Sequence, residues 1–175
     1  MQWLKDGRFI VKEWRPDGST PVMLLEPGAS NSKEILLYER GGGPFRLSPD
    51  ERWLAYATPA SGTSQVYVKS MAPHGTAVRV SNDSGIDPVW SSDGNELYFR
   101  HGPNLVAVSL RKDGERVAVG SEQMLFQLPT SSALYGISPD GRRFLVGRQV
   151  DPPPVPGIRV VLNWFEELKG RGREK

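Results

Sequence analysis

Short apolar runs in this chain are separated by Gly, Pro, Asp and Ser, the pattern of many short strands and tight turns. One unit of that pattern returns four times. "RLSPDERWLAYAT" (46–58) sets a Pro-Asp turn before a dense apolar run, and "WLKDGRFIV", "WSSDGNELYF" and "ISPDGRRFLV" repeat the arrangement. Aligned on Asp6, Asp50, Asp93 and Asp140, the copies stand 44, 43 and 47 residues apart. A period in the forties with several strand-like runs per unit is the signature of propeller blades. Three residues before each aspartate come Trp3, Leu47, Trp90 and Ile137. Four after it come Ile10, Leu54, Leu97 and Phe144, followed by Val11, Ala55, Tyr98 and Leu145. All twelve are apolar or aromatic, while the residues between them vary freely.

The turn has a mechanical reason. Pro49 and Pro139 preset φ for the second position of a type I turn, Asp bonds its own backbone, and the following Gly accepts a positive φ. "SPDG" between two apolar runs therefore predicts a hairpin between the innermost strand and the next, and the four aspartates are turn builders. Glu51 stands where the other copies have Gly. A left-handed residue with a side chain costs about 1 kcal/mol, so this hairpin is expected to be the least regular.

The strands that follow are "PFRL", "RWLAYAT", "SQVYVKSM" and "TAVRVS" in the second unit. The third has "DPVW", "ELYFR", "NLVAVSL" and "RVAVG" with "QMLFQL", and the fourth "LYGI", "RFLVGRQ" and "IRVVLNW". Second strands are apolar at consecutive positions, as strands buried on both faces are. "NLVAVSL" and "IRVVLNW" alternate, as one-sided strands do. The expectation is an all-β, propeller-like chain of about four blades with three to four antiparallel strands each, over 1–40, 41–82, 83–128 and 129–168, with a basic disordered tail at 169–175. The first unit is less complete at its start. "VDPPPVPG" (150–157) forms an extended connection, and Asn163, Glu166 and Gly170 mark one helical turn after the last strand.

Composition narrows the chemistry. With 22 basic and 20 acidic side chains the charge is too even for a nucleic-acid or membrane-surface protein. There is no cysteine, which removes disulfides, thiolate catalysis and Cys-based zinc sites. "MQWLKDGRFI" lacks the apolar core of a signal peptide, and no apolar run is long enough to span a bilayer.

"LSPDERWLAYAT", "PVWSSDGNELYF" and "ISPDGRRFLV" resemble the TolB-type propeller repeat, a relative of the WD-repeat blade, over nearly the whole chain. The tail "IRVVLNWFEELKGR" resembles the end of the propellers carried by bacterial transmembrane serine/threonine kinases. The resemblance implies a binding or scaffolding propeller, of six or more blades in most members and extracytoplasmic in its full-length context. With about four blades, this chain then reads as the C-terminal part of a longer propeller; a closed four-bladed ring is the alternative.

Catalytic motifs are missing. Lys69 in "VYVK" has no glycine-rich phosphate loop, HRD or DFG around it, and neither "GISPDG" nor "GTSQV" makes a G-x-S-x-G elbow. His74 and His101 read as turn residues, too few for a metal site. "ERGGGPF" (39–45) leads into a strand, without the helix that would hold a phosphate. Glu166 and Glu167 read as a solvated edge. No catalytic, cofactor, metal or ligand-binding residue is singled out. Two function classes remain: a non-catalytic module binding a protein, peptide or small ligand, or a sensor fragment of a larger kinase, hydrolase or receptor. An incomplete ring would leave apolar faces near Trp3 and Trp164, which favours self-association.

Overall fold

A computed structural model of the chain describes residues 1–28, 33–37, 43–59, 62–129 and 132–148. The expected connection at 150–157, the final strand, the helical turn and the basic tail lie outside the described residues. Within them the chain is all-β, with fourteen strands and no helix.

Three four-stranded antiparallel meanders and one hairpin follow one another along the chain. The first comprises β1 (Gln2–Trp3), β2 (Phe9–Lys12), β3 (Val22–Leu25) and β4 (Lys33–Leu37). The second comprises β5 (Phe45–Leu47), β6 (Trp53–Thr58), β7 (Gln65–Ser70) and β8 (Ala77–Arg79). The third runs β9 (Ile86–Trp90), β10 (Glu96–His101), β11 (Asn104–Asp113) and β12 (Arg116–Gln127); β13 (Ser132–Ile137) pairs with β14 (Phe144–Arg148). The first unit is complete in strand number, but its opening strand has only two residues.

The sheets bury their faces against one another, and the three core clusters are the three interfaces. Trp53, Ala55, Ala57, Val66 and Val68 of the second sheet pack on Trp90, Leu97, Phe99, Val106 and Val108 of the third. From the other side of β6, Leu54 and Tyr56 join Ile10, Val22 and Leu24 of the first sheet. Val89, Tyr98, Leu105 and Ala107 meet Ile137, Phe144 and Val146 of the fourth. The consecutive apolar positions of the second strands thus serve two interfaces, as their pattern predicts. "NLVAVSL" departs from its one-sided reading. Val106 and Val108 face the second sheet while Leu105 and Ala107 face the fourth, and only beyond Val108 does β11 alternate between buried and exposed.

A shared clamp sets the hairpins. In the second, third and fourth units the Ser two residues before the aspartate donates its hydroxyl to that carboxylate, and accepts the backbone N–H of the residue three beyond it. The Ser N–H bonds the carbonyl of that same residue, closing the turn. The expectation that Glu51 makes its hairpin the least regular is overturned. Glu51 does sit at φ 60°, yet its turn carries every bond of the clamp. Its carboxylate also accepts the backbone N–H of Lys5 in the neighbouring turn, at 3.0 Å, an interaction glycine could not make. The irregular hairpin is the first. Leu4 replaces Ser there, the Leu4 N–H reaches Arg8 O instead of the next carbonyl, and Trp3 pairs with Phe9. In the second unit Leu47 pairs with Leu54, one position later relative to the aspartate. A one-residue slip exchanges the faces of a strand. Ile10 therefore packs forward onto the second sheet, although Leu54, Leu97 and Phe144, at its repeat position, pack backward.

Two outcomes test this construction. Glu51→Ala keeps the left-handed strain and loses the Lys5 bond, whereas Glu51→Gly loses the bond but relieves about 1 kcal/mol of strain. Urea midpoints should therefore fall further for Ala than for Gly. The second concerns acid. The Ser91 hydroxyl, followed by the Asn95 N–H, holds the Asp93 carboxyl below its ordinary value of 3.8. Between the folded and unfolded pKa values the unfolded chain binds more protons, so this stabilisation is present above about pH 4 and is lost as pH falls through the folded value. Ser91→Ala removes the largest cause, so the fall in urea midpoint between pH 5 and pH 3 should be smaller in that variant than in the parent.

Candidate functional site

The turn end of the stack is stitched together. Lys5 Nζ donates to Pro49 O at 3.0 Å, and Arg52 Nη2 donates to Gly114 O at 3.1 Å. Lys112 lies 3.6 Å from Asp50 Oδ2 and over the Trp90 ring. A concavity opens here along Asp50, Asp93, Glu96 and Lys112. Its carboxylates are already committed: Asp50 and Asp93 to their turns, Glu96 to the Tyr98 hydroxyl at 2.6 Å. Such groups are structural.

At the opposite end, where β5 begins and β2 finishes, a cleft of about 450 Å³ lies between the first two sheets. Met1, Gln2, Lys12, Trp14 and the segment 43–46 line it. Lys12, the last residue of β2, donates from Nζ to Gly43 O at 2.7 Å and sits 5.7 Å from the centre of the Trp14 ring. Trp14 is 74% exposed and is carried by the β2–β3 loop, which Asp17 closes by accepting the N–H and hydroxyl of Ser19. The floor is fixed by two hydrogen bonds: Gly43 N–H bonds Ala57 O, and the Gln2 side-chain Oε1 accepts the Leu47 N–H. Arg46 donates from Nη1 to Phe45 O at 2.9 Å, while its own carbonyl receives the Trp90 indole N–H at 3.1 Å. Among the described residues the lining holds two cations, an exposed indole and the buried Phe45 ring.

The third sheet carries strain at the same end. Asp87, in the repeat position of the cleft residue Pro44, has φ 54° and lies 3.6 Å from Arg100 Nε. Arg100 Nε and Asn104 Oδ1 are buried without a hydrogen-bond partner.

The residues weighed from sequence fall elsewhere. His74 occupies a turn at φ 63°, as expected, but His101 is the last residue of β10, paired across the hairpin with Asn104. Lys69 is a half-buried strand residue opposite Leu54. Of the glycine-rich stretch, Gly43 enters the cleft floor and the chain continues into β5. Among the described residues no three His, Cys, Asp or Glu side chains converge on a point, and no helix is long and apolar enough to cross a membrane. Sequence reasoning passed over Lys12, Trp14 and Arg46. The signal was there in Arg46, a cation in an innermost strand where the third and fourth units carry Val89 and Gly136.

No family model matches the chain. No curated protein matches it in sequence. Solved structures do. TolB from Acinetobacter baumannii superposes with a TM-score of 0.65 at 20% identity, over 83% of this chain and 36% of its own. The hydrazine synthase of Kuenenia stuttgartiensis superposes at 0.55 with 13% identity, over 85% of this chain and 57% of its own. This chain thus spans little more than a third of the TolB chain it matches. Four consecutive antiparallel sheets, packed face to face and built on one repeated turn, give this chain the TolB-like β-propeller fold.

Proposed function

We propose that the chain is a non-catalytic propeller module that binds a protein or peptide through the cleft between its first two sheets. The observation that carries this reading is the contrast between the two ends. The turn-end concavity is the larger, at about 890 Å³, but its carboxylates are held in turns and in sheet-to-sheet contacts, whereas the cleft gathers Lys12, Arg46 and an indole 74% exposed around about 450 Å³ of space. That volume falls in the range of ligand-binding pockets, and exposed aromatics with arginine are the residues that anchor partners. No candidate nucleophile, metal cluster or phosphate cradle has emerged among the described residues to favour catalysis.

The alternative is a sensor fragment of a larger enzyme or receptor whose catalytic domain lies outside these residues. Extracytoplasmic placement belongs with that reading. Its support is the partial coverage of the TolB chain and the exposure of Trp3. Leu47 and Trp90 are each 5% exposed beneath the preceding sheet, while Trp3, at the same repeat position, is 59% exposed beside Phe9. Leu145, on the forward face of the fourth sheet, is exposed as well. Both readings make these faces adhesive, and each provides for self-association.

In the first test, ¹⁵N-labelled protein is titrated with a panel of short peptides. Binders should shift the Lys12, Trp14 and 43–46 resonances together and leave Gly94 and Gly141 at the turn end unmoved. Shifts confined to the turn end would refute the cleft as the binding site. The second test is light scattering at micromolar concentration. Self-association is expected, with Trp3→Glu moving the population to monomer. A stable monomeric parent would mean instead that the four units close on themselves.

A further inference from the structure

We propose that Asp113 is a site of spontaneous backbone modification, where the chain rearranges to isoaspartate and thereby releases a bond between the second and third sheets. The sequence holds five Asp-Gly pairs, at Asp6, Asp17, Asp93, Asp113 and Asp140. All five aspartates are exposed, and all five glycines have positive φ, so neither property separates them. The carboxylates do. Asp6, Asp17, Asp93 and Asp140 each accept the backbone N–H two residues on. Each also accepts a side-chain donor, from Arg8, Ser19, Ser91 and Ser138 in turn. No hydrogen bond or ion pair engages the Asp113 carboxylate among the described residues. Asp113 ends β11 and pairs with Arg116 across a loop of two exposed residues, Gly114 and Glu115. Gly114 O accepts Arg52 Nη2 at 3.1 Å, which ties the turn of the second sheet to this hairpin of the third.

The reaction needs only the chain and water. The Gly114 backbone nitrogen bonds to Asp113 Cγ, and a carboxyl oxygen leaves as water with the amide proton and one proton from solvent. The product is a succinimide ring. Water then opens either ring C–N bond. Opening at Cγ restores aspartate, whereas opening at the main-chain carbonyl leaves the chain running through Cγ, one methylene longer. Closure requires the carboxyl to turn onto the next nitrogen, which the covalent connection keeps at high effective concentration. An unbound side chain samples its rotamers, but a clamped one must first give up charge-assisted bonds. The side-chain bonds from Arg8, Ser91 and Ser138 also hold the carboxyls of Asp6, Asp93 and Asp140 below their ordinary value, leaving less of the protonated acid that closure consumes. At Asp113 the added methylene breaks the pairing with Arg116 and displaces the carbonyl that Arg52 holds.

The protein is kept at neutral pH and body temperature for several weeks, folded and in urea. It is then digested, and isoaspartate is quantified in each Asp-Gly peptide by chromatography and by methyl transfer from an isoaspartyl methyltransferase. In the folded chain, isoaspartate should form at Asp113 about tenfold or more faster than at the clamped aspartates, the scale of one hydrogen bond to a charged group. In urea the rates should be comparable at every pair. Ser91→Ala should raise the rate at Asp93 and leave Asp113 unchanged, with near-UV circular dichroism confirming its fold. The Arg52 guanidinium resonances should shift as the parent ages and hold their positions in Asp113→Glu, whose longer side chain disfavours the ring. Absence of isoaspartate at Asp113 in the folded chain, or equal rates at every pair, overturns the site. Selectivity that persists in urea, or an unchanged Asp93 rate in folded Ser91→Ala, overturns the protection assigned to the clamp. Arg52 resonances that stay in place while isoaspartate accumulates overturn the link to the sheet-to-sheet bond.

Discussion

Which face of its strand each side chain occupies decides everything else in this stack. A second strand such as β6 serves two interfaces at once, with Trp53, Ala55 and Ala57 on one side and Leu54 and Tyr56 on the other. Slipping it by one residue would exchange these sets and bring the Tyr56 ring to a position where an alanine fits. Burying one such tryptophan correctly is worth about 3–5 kcal/mol. Register is therefore the quantity that must be fixed before the core can form, and the Ser-Asp clamp fixes it locally, within six residues of chain.

That locality explains how much could be read from sequence. The period, the all-β class, the turn aspartates and the doubly buried second strands are short-range features, each visible as a residue type at a fixed offset. The slip of the first hairpin was visible too, in the missing serine at Leu4, but only once the serine's two hydrogen bonds gave that position a meaning. "NLVAVSL" misled for a different reason. Leu105 and Ala107 look like the weak side of an alternating strand, and only the approach of the fourth sheet buries them. The cleft belongs to this second kind. Lys12 and Trp14 come from the first unit and Arg46 from the second, and nothing local announces that the end of β2 meets the start of β5.

The two ends of the molecule divide the work. At the turn end, charged groups are used up in pairs that cross from sheet to sheet, including the carboxylate of Glu51, whose strained backbone is the cost of reaching Lys5. At the other end a cleft between the first two sheets is lined by Lys12 and Arg46, and Asp87 of the third sheet holds φ 54° beside Arg100. A scaffold that is rigid at one end and chemically uneven at the other can vary its partner without altering its fold.

Among the described residues the core clusters join consecutive sheets, which also shapes how the chain finds its structure. Each hairpin closes a loop of a few residues, so its contacts form at small entropic cost and early. Assembly then proceeds one neighbour at a time, as in other linear repeat arrays, with the second and third sheets, which share the largest buried cluster, as the natural seed. A molecule built this way has no single free energy of unfolding. Its ends can open while the middle holds, and its cooperativity is set interface by interface.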